Sequence, residues 1–163
     1  MDKSLKEYSW GGSGITFNCA YWILKNLEPN KKILEFGAGK ISTSFFSKHW
    51  NLTTIEQDKN YCNLFDNVNY IHSPIKDDWY DVDLIALPQN YDLIFIDGPV
   101  KYQRSKILQK IEHIDYRDSI IVIDDTYRED CRKIVKYFTK KNKNIIHKGD
   151  DEKTGQHQFS ILK

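Results

Sequence analysis

Short apolar runs recur along the chain and constrain its fold more than any other feature. Each is rich in Ile, Val, Leu or Phe, and each ends near Gly, Asp, Ser or Pro. Runs of this length and composition are typical of strands that are buried on both faces of a sheet. We place such strands at about 32–37, 52–57, 68–73, 91–97 and 119–125.

Segments with helical spacing separate these strands. A helix is predicted over about 15–28, with Ser13 or Thr16 available as its cap. Two further helical patterns consist of apolar side chains about one turn apart, at Ile107, Leu108, Ile111 and Ile114 and at Cys131, Ile134, Val135 and Phe138. Strand and helix alternate five times, which predicts a parallel sheet covered by helices on both faces.

The C-terminal part of the chain departs from this alternation. Residues 144–148 and 157–162 are strand-like, and the polar segment GDDEKTGQ joins them with no helix between. They are predicted to pair as an antiparallel hairpin. The sheet then has seven strands within one domain over residues 1–163, because a chain of this length has no room for a second folded domain.

Charge and cysteine content narrow the classes of function. The chain has 24 Lys and Arg against 23 Asp and Glu, and its formal net charge of +1 gives no general attraction for nucleic acid or an anionic membrane. No nucleic-acid partner and no membrane association are therefore expected. Three widely spaced cysteines argue against a disulfide framework, and the amino terminus lacks the apolar core of a signal peptide. We expect a cytoplasmic protein.

A glycine-containing turn joins the first predicted strand to a helix in the stretch ILEFGAGKISTSFF. Gly37 and Gly39 let the main chain turn sharply and approach a ligand closely. Ser42 and Thr43 begin a helix whose free amide groups favour a carboxylate or a phosphate. Glu35, beside the same pocket, favours a cationic group. An amino-acid moiety, which carries an ammonium and a carboxylate, satisfies both requirements.

Glu56 ends the second predicted strand, nineteen residues after Gly37. A carboxylate at this position is the expected partner of ribose, because it accepts hydrogen bonds from two vicinal hydroxyls. The ligand then combines a nucleoside with an amino acid, and S-adenosylmethionine is the common cofactor of that description. Ser42 stands where a G-x-G-x-x-G fingerprint has its third glycine, so a pyrophosphate site is disfavoured.

In these motifs the chain resembles the class I S-adenosylmethionine-dependent methyltransferases, over about residues 13–163. The resemblance rests on the E-x-G-x-G turn, the acid after the second strand, the strand YDLIFIDG, the segment IVIDD and the closing hairpin. It implies a three-layer, Rossmann-like α/β fold whose seven-stranded, mostly parallel sheet ends in an antiparallel strand. It also implies methyltransferase activity with S-adenosylmethionine as cofactor.

The same resemblance assigns roles to individual residues. Gly37 and Gly39 are expected to face the cofactor, Glu56 to hold its ribose, and Asp97 to lie near its methionine end. The residues expected to border the adenine are Gln57, Asp58, Ser73, Pro74 and Ile75. The neighbouring His72 is expected to be a packed or surface residue rather than a catalytic one.

Asp97, Asp124 and Asp125 end two neighbouring predicted strands. Three carboxylates at one edge could bind Mg²⁺ or Ca²⁺, and a metal lowers the pKa of a coordinated hydroxyl. The arrangement is similar to that of metal-dependent catechol-type O-methyltransferases, which have an Asp-Asn pair where this chain has Asp-Asp. By that resemblance Asp97 and Lys101 are the candidate catalytic residues, with Lys101 one position later than the lysine of that group. Alternatively, Asp97 serves the cofactor and the other two aspartates cap the following helix.

Three segments are candidates for the acceptor site: residues 8–14, the loop after Asp97 and the loop after Asp125. Tyr8 and Trp10 could stack on an acceptor, in a segment that glycines make mobile, although Trp10 could equally just cover the core. A compact site of this kind suits a small molecule, a sugar or a side chain presented by a partner. An oxygen is the favoured methyl acceptor, and the sequence indicates no particular oligomeric state.

Two other classes of function compete with this interpretation. A nicotinamide-dependent oxidoreductase also uses a glycine turn and a later acid, but it needs the third glycine that Ser42 replaces. A non-catalytic domain could keep the methyltransferase fold as a binding or assembly module. The intact set of turn and strand-end residues argues against loss of the cofactor site, while it is compatible with loss of activity.

Overall fold

The computed structural model describes residues 5–10, 14–99, 104–149 and 158–163. Its strands, in chain order, are β1 (Lys32–Phe36), β2 (Asn51–Glu56), β3 (Val68–His72), β4 (Ile75–Lys76), β5 (Trp79–Tyr80), β6 (Leu93–Ile96), β7 (Ile120–Ile123), β8 (Ile145–Gly149) and β9 (Phe159–Leu162). Seven of them form one sheet in the order β3-β2-β1-β6-β7-β9-β8, whereas β4 and β5 form a separate two-stranded hairpin. The first five strands of this order are parallel, and β9 is antiparallel to both β7 and β8. The predicted seven-stranded sheet and closing hairpin are confirmed.

The central strands divide their side chains between two hydrophobic clusters, one on each face of the sheet. Ile33 and Phe95 belong to one cluster, whereas Leu34 and Ile96 belong to the other. Every residue of β6 and β7 is buried. Continuous apolar runs are needed for this arrangement because both faces are covered. The sheet is therefore the middle of three layers.

Three α-helices lie within the described ranges: α1 (Phe17–Asn26), α2 (Ser42–His49) and α3 (Glu129–Lys140). Helices α1 and α2 pack on the face that contains Ile33, and α3 packs on the opposite face. The Thr16 hydroxyl caps α1 by accepting the Cys19 amide at 3.3 Å, as predicted. None of these helices combines the length and the apolar character that a membrane crossing requires.

The predicted alternation of strand and helix is wrong in three connections. A single 3-10 turn, Lys59–Tyr61, lies between β2 and β3. The β4–β5 hairpin and the turn Leu84–Ala86 stand between β3 and β6. The pattern at 107–114 forms two 3-10 segments, Arg104–Gln109 and Ile111–His113, rather than an α-helix.

Packing explains the last of these differences. Ile107, Ile111 and Ile114 are all buried, so the periodic pattern identified the correct inward face. β-branched side chains lose rotamer freedom in an α-helix, and so short a segment gains little from cooperative helix formation. Burial of the isoleucines therefore decides the backbone conformation, and helical propensity does not.

The amino-terminal segment packs on the core. Trp10 Nε1 donates to the Leu5 carbonyl at 2.7 Å. The centroid of the Trp10 ring lies 5.4 Å from that of the Phe45 ring and 6.1 Å from that of the Phe17 ring. The ring centroids of Tyr8 and Phe45 are 6.0 Å apart. These contacts agree with the interpretation that Trp10 covers the core. The glycines at positions 11 and 12 of the predicted lid lie outside the described residues.

Candidate functional site

The glycine turn lies at the carboxyl end of β1, where the ligand site is expected. Gly37 has a φ of 95°, in the left-handed region that favours glycine. A Cβ at this position would lie 2.8 Å from both the N and the Cα of Gly98, which follows β6 closely. Two neighbouring strand ends thus meet backbone against backbone, and that contact requires a residue without a side chain.

Glu35 lies beneath the turn and is fully buried. Its Oε2 accepts from Thr54 Oγ1 at 2.6 Å and from Thr43 Oγ1 at 2.7 Å. The Thr43 hydroxyl also accepts the Gly39 amide at 2.9 Å. Glu35 therefore braces the turn from below through Oε2, while its Oε1 is buried with no hydrogen-bond partner among the described residues, and its contact with a ligand's ammonium group stays a prediction. Burial raises the pKa of Glu35 to about 7, although hydrogen bonds from the surrounding hydroxyls lower it.

Ser42 and Thr43 are the first residues of α2, as predicted, and both are fully buried. Thr43 is committed to Glu35 and the turn, whereas the Ser42 hydroxyl has no hydrogen-bond partner among the described residues. The Ser42 Oγ would lie 2.7 Å from a Cβ added to Gly39. The Ser42 hydroxyl therefore occupies the space that a side chain at position 39 would need.

Glu56 points from the end of β2 back toward the turn. Its Oε2 accepts the Ala38 amide at 2.8 Å, and its Oε1 accepts the Asp58 amide at 2.7 Å. The residue is 4% exposed, and burial raises its pKa while these amides lower it. A carboxylate oxygen can accept more than one hydrogen bond, so both oxygens keep capacity for ligand hydroxyls.

Gln57 and Ser73 directly follow β2 and β3. The Ser73 amide donates to the Glu56 carbonyl at 2.8 Å. Ser73 Oγ and Gln57 Oε1 are buried and have no hydrogen-bond partner within the described ranges. Asp58 caps the following 3-10 turn, and the exposed His72 donates from Nε2 to the Gln57 carbonyl at 3.1 Å. Buried polar atoms without partners are costly, so Ser73 and Gln57 are suited to bind a polar ligand.

Asp97, Asp124 and Asp125 meet at the ends of β6 and β7, around Arg104. Arg104 Nη2 lies 3.0 Å from Asp97 Oδ1 and 3.0 Å from Asp125 Oδ2. Its Nη1 donates to the Asp124 carbonyl at 3.5 Å. Arg104 is only 3% exposed, so a buried cation lies among the three acids.

This geometry does not support the predicted metal site. No group of three or more His, Cys, Asp or Glu side chains that could hold a metal ion occurs in the part of the chain that the structure describes. The Arg104 guanidinium lies between Asp97 and Asp125, where a shared metal would have to bind, and it would repel a divalent cation. The residues present therefore do not fit Mg²⁺.

The alternative role of the aspartates as helix caps is not observed either. Helix α3 begins at Glu129 with Arg128 at its N-cap, so neither Asp124 nor Asp125 occupies the capping position. Asp125 has a φ of 53°, an uncommon conformation that Asp tolerates better than most residues. Burial raises the pKa of Asp97 well above its ordinary range, Asp124 raises it further, and Arg104 opposes both effects.

Comparisons with known proteins identify the fold. Neither a scan of protein-family models nor a search of curated protein sequences finds a match. Among solved structures, precorrin-6y C5,15-methyltransferase from Geobacter metallireducens is 15% identical over 96% of this chain and 94% of its own, with a TM-score of 0.65. Fibrillarin from Aeropyrum pernix, with natively bound S-adenosyl-L-methionine, is 10% identical over 83% of this chain and 67% of its own, with a TM-score of 0.61. Magnesium protoporphyrin IX methyltransferase from Synechocystis, with S-adenosylmethionine bound, is 13% identical over 89% of this chain and 76% of its own, with a TM-score of 0.56.

The chain has the class I methyltransferase fold. Sheet order, strand directions and the closing hairpin all agree with the predicted Rossmann-like architecture. Glu56, Gly37 and Asp97 accordingly lie at the carboxyl ends of adjacent strands, which is the edge where folds of this kind bind ligands.

Sequence reasoning missed Tyr80, on the β4–β5 hairpin of this methyltransferase fold. Tyr80 is fully buried, and its hydroxyl has no partner among the described residues. A Cβ on Gly98 would collide with that hydroxyl. Burial raises the pKa of Tyr80, and the nearby Glu56 and Asp97 raise it further. The pair of aromatic residues in DDWY was the only signal available for this position.

Arg104 was also missed, although a signal for it existed. Three acids predicted to share one buried edge require a cation nearby, because buried charges are nearly always paired. Arg104 lies in the loop after Asp97, which was predicted only to contribute to the acceptor site. Lys101 lies outside the described residues, and its role as a base stays a prediction.

A cavity of about 630 Å³ lies at the opposite, amino-terminal edge of the sheet. Three of the four cations that line it are already paired or hydrogen-bonded. Lys141 lies 2.9 Å from Glu112, Arg117 lies 2.8 Å from Asp115, and Lys143 Nζ donates to two backbone carbonyls at 2.7 Å. The carboxyl edge, which carries polar atoms without partners, is the better candidate for a ligand site.

Proposed function

We propose that this protein is an S-adenosylmethionine-dependent methyltransferase that acts on an oxygen of a small molecule or a sugar. The observation that carries the proposal is the pairing of Glu56 with the glycine turn: its carboxylate accepts the Ala38 amide at 2.8 Å, beside the left-handed Gly37. An acid and a bare backbone thus meet at the ends of two adjacent parallel strands. Fibrillarin from A. pernix and the Synechocystis enzyme share this fold and hold S-adenosylmethionine, which supports that ligand.

Each residue of the strand edge has a part in cofactor binding under this proposal. Glu56 accepts the ribose hydroxyls with the lone pairs that the backbone amides leave available. Gly37 and Gly39 let the backbone approach the amino-acid part, while Glu35, Ser42 and Thr43 hold the turn and the helix start in place. The buried oxygens of Gln57 and Ser73 provide hydrogen-bonding capacity for the adenine.

Methyl transfer then requires mainly that an acceptor be oriented and its proton removed. When bound, S-adenosylmethionine supplies a methyl group on a sulfonium, which needs no further activation. Orientation by the protein can contribute about 7–11 kcal/mol to lowering the barrier. Asp97 is the proposed proton acceptor for a hydroxyl, because burial raises its pKa and makes its carboxylate a stronger base. Lys101 is the second candidate base.

The acceptor class rests on composition and on the compact site. A net charge of +1 provides no general attraction for a polyanion, so nucleic acid is not proposed as the acceptor. A cytoplasmic location stays a prediction.

Isothermal titration calorimetry with S-adenosylhomocysteine tests the cofactor assignment. We expect saturable binding of S-adenosylhomocysteine and no heat of binding with NAD. Binding of NAD alone would overturn the proposal in favour of an oxidoreductase. Transfer of a labelled methyl group from S-adenosylmethionine to a panel of sugars and small hydroxylated molecules then tests the reaction itself.

A non-catalytic binding module is the second candidate, and one observation favours it. Asp97 is ion-paired to Arg104 at 3.0 Å, and a paired carboxylate is a weaker base than a free one. Binding of S-adenosylhomocysteine without methyl transfer to any member of the panel would select this alternative. Binding of neither S-adenosylhomocysteine nor NAD would indicate a module that has lost the cofactor site.

A further inference from the structure

Arg104 is anchored through both its main chain and its side chain. Its amide donates to Asp130 Oδ2 at 3.0 Å, in the first turn of α3. Its Nη2 lies 3.0 Å from both Asp97 Oδ1 and Asp125 Oδ2, and its Nη1 donates to the Asp124 carbonyl at 3.5 Å. One buried residue thus connects the ends of β6 and β7, through its side chain, with the start of a helix, through its amide.

The acids at this edge need a compensating positive charge. Asp124 is buried, and Asp97 and Asp125 are largely withdrawn from solvent. Like charges repel strongly where water is excluded, so a cation among the members of such a cluster stabilises it. Arg104 supplies this charge and shares it between Asp97 and Asp125. The more exposed Arg128 adds a longer contact of 3.7 Å to Asp125.

Two features show that this contact is specific. Asp125 takes up a left-handed backbone conformation, with a φ of 53°, at the position that meets the guanidinium. Arg104 contacts side-chain oxygens of two strand ends and a carbonyl oxygen of one of them, which suits the fixed fork of a guanidinium. A lysine ammonium in the same place would be a single point charge.

We infer that Arg104 is a built-in cation of the strand edge, which positions Asp97 and Asp125 and takes the place of a divalent metal there. The charge-compensating part of this inference stands on the geometry alone. The use of a positioned Asp97 in methyl transfer rests on the proposed function.

A guanidinium and a divalent metal make different demands on the same carboxylates. Mg²⁺ and Ca²⁺ draw oxygens to within about 2.0–2.6 Å, whereas a guanidinium holds them at hydrogen-bonding distance. Arg104 is always charged and is covalently part of the chain. The strand edge therefore does not depend on the concentration of a metal. Removing the guanidinium would leave the Asp97 and Asp125 carboxylates, which now share it, facing a space that a divalent ion can enter.

Thermal unfolding of the ligand-free protein in EDTA, Mg²⁺ or Ca²⁺ tests this inference. We expect the wild-type Tm to be the same in all three solutions. Arg104→Ala removes the buried guanidinium that Asp97 and Asp125 share, so its Tm in EDTA should fall by roughly 10 °C. Millimolar Ca²⁺ or Mg²⁺ should then restore at least about 3 °C of that loss, because the ion binds the folded state only. Adding Asp125→Asn to Arg104→Ala should abolish the restoration.

Arg117→Ala is the matched control, since it removes an arginine from an ion pair in which Arg117 is 82% exposed and lies 2.8 Å from Asp115. Its Tm should change little and should not respond to either metal. Arg104→Lys keeps a charge at the strand edge, so it should lose part of the stability and gain no response to metal. A response in Arg104→Lys as large as in Arg104→Ala would contradict the inference.

Two further outcomes would overturn it. One is a wild-type Tm that rises with Mg²⁺ or Ca²⁺ and loses this rise in Asp125→Asn, which would show that metal binds despite Arg104; this measurement needs no Arg104 variant to fold. The other is a folded Arg104→Ala protein that neither metal stabilises. Because no cofactor is present in these experiments, failure to bind S-adenosylhomocysteine would refute the proposed function and leave this inference standing.

Discussion

The Thr43 hydroxyl donates to Glu35 Oε2 at 2.7 Å and accepts the Gly39 amide at 2.9 Å. Glu35 is therefore connected to the glycine turn by hydrogen bonds through Thr43. Thr54 donates a second hydrogen bond to the same oxygen at 2.6 Å. The acid of the E-x-G-x-G turn thus links β1, β2 and the start of α2 as a buried brace.

Glu35 should make stability depend on pH near neutrality. Burial raises its pKa from 4.5 to about 7 in the folded state. Between these values the folded chain keeps a proton that the unfolded chain has lost, so the contribution of this group is full at low pH and is lost as pH rises through 7. For a fully buried group the loss amounts to roughly 3 kcal/mol. Urea unfolding should show a flatter pH profile for Glu35→Gln than for the wild type between about pH 5 and 8.

The exposed Glu129, in a surface pair with Lys133, provides the control for this experiment. Glu129→Gln should leave the pH profile of the free energy of unfolding unchanged. Parallel profiles for Glu35→Gln and the wild type would show that Glu35 titrates normally in the folded protein.

Gly37→Ala should be strongly destabilising because two costs coincide at that position. The backbone has a φ of 95°, and the new Cβ would lie 2.8 Å from the main chain of Gly98. We expect a loss of more than about 2 kcal/mol in the free energy of unfolding. Gly14→Ala is the matched comparison, since its Cβ would lie 3.5 Å from Ile41, at ordinary contact distance. Both free energies of unfolding are measured with urea. Equal losses in the two variants would show that position 37 does not require glycine.

Glu56→Gln should weaken cofactor binding more than it weakens the fold. The carboxylate accepts from two amides and is proposed to accept from the ribose, and an amide group retains only part of this capacity. In calorimetry, the free energy of binding S-adenosylhomocysteine should become less favourable by about 1–3 kcal/mol. Glu28→Gln, on an exposed position, should bind as the wild type does. A folded Glu56→Gln protein with unchanged affinity would exclude Glu56 from the ribose site.

Tyr80→Phe should separate ligand binding from stability. The Tyr80 hydroxyl is buried without a partner in the described part of the chain, so its removal should leave Tm unchanged or raise it. If the hydroxyl forms a hydrogen bond with the ligand, the free energy of binding S-adenosylhomocysteine should become less favourable by about 1 kcal/mol. Tyr91 carries a similar buried hydroxyl at the opposite end of β6, so Tyr91→Phe should not change that affinity. A large drop in the Tm of Tyr80→Phe would show that the protein itself uses the hydroxyl.

Local patterns predicted the frame of the molecule well. The apolar runs located all five parallel strands, and the residue pattern at positions 131–138 located α3. These features are predictable because burial on one or both faces imposes a period that neighbouring residues reveal. The positions of Gly37 in the turn and of Glu56 at a strand end were predictable for a similar reason, since turns and strand ends have characteristic residues at short spacing.

Which side chains meet at the carboxyl edge of the sheet depends on contacts between residues that are distant in the chain. Arg104 meets Asp125 because β6 lies beside β7 in the sheet, and Tyr80 meets Gly98 because the β4–β5 hairpin packs against the end of β6. Periodicity carries no information about which side chain fills a space between two strand ends. Short segments such as Arg104–Gln109 likewise take the conformation that buries their isoleucines, whatever their helical spacing. The pattern of the chain thus predicted the strands, the turn and the acids, whereas only the three-dimensional packing placed Arg104 between Asp97 and Asp125.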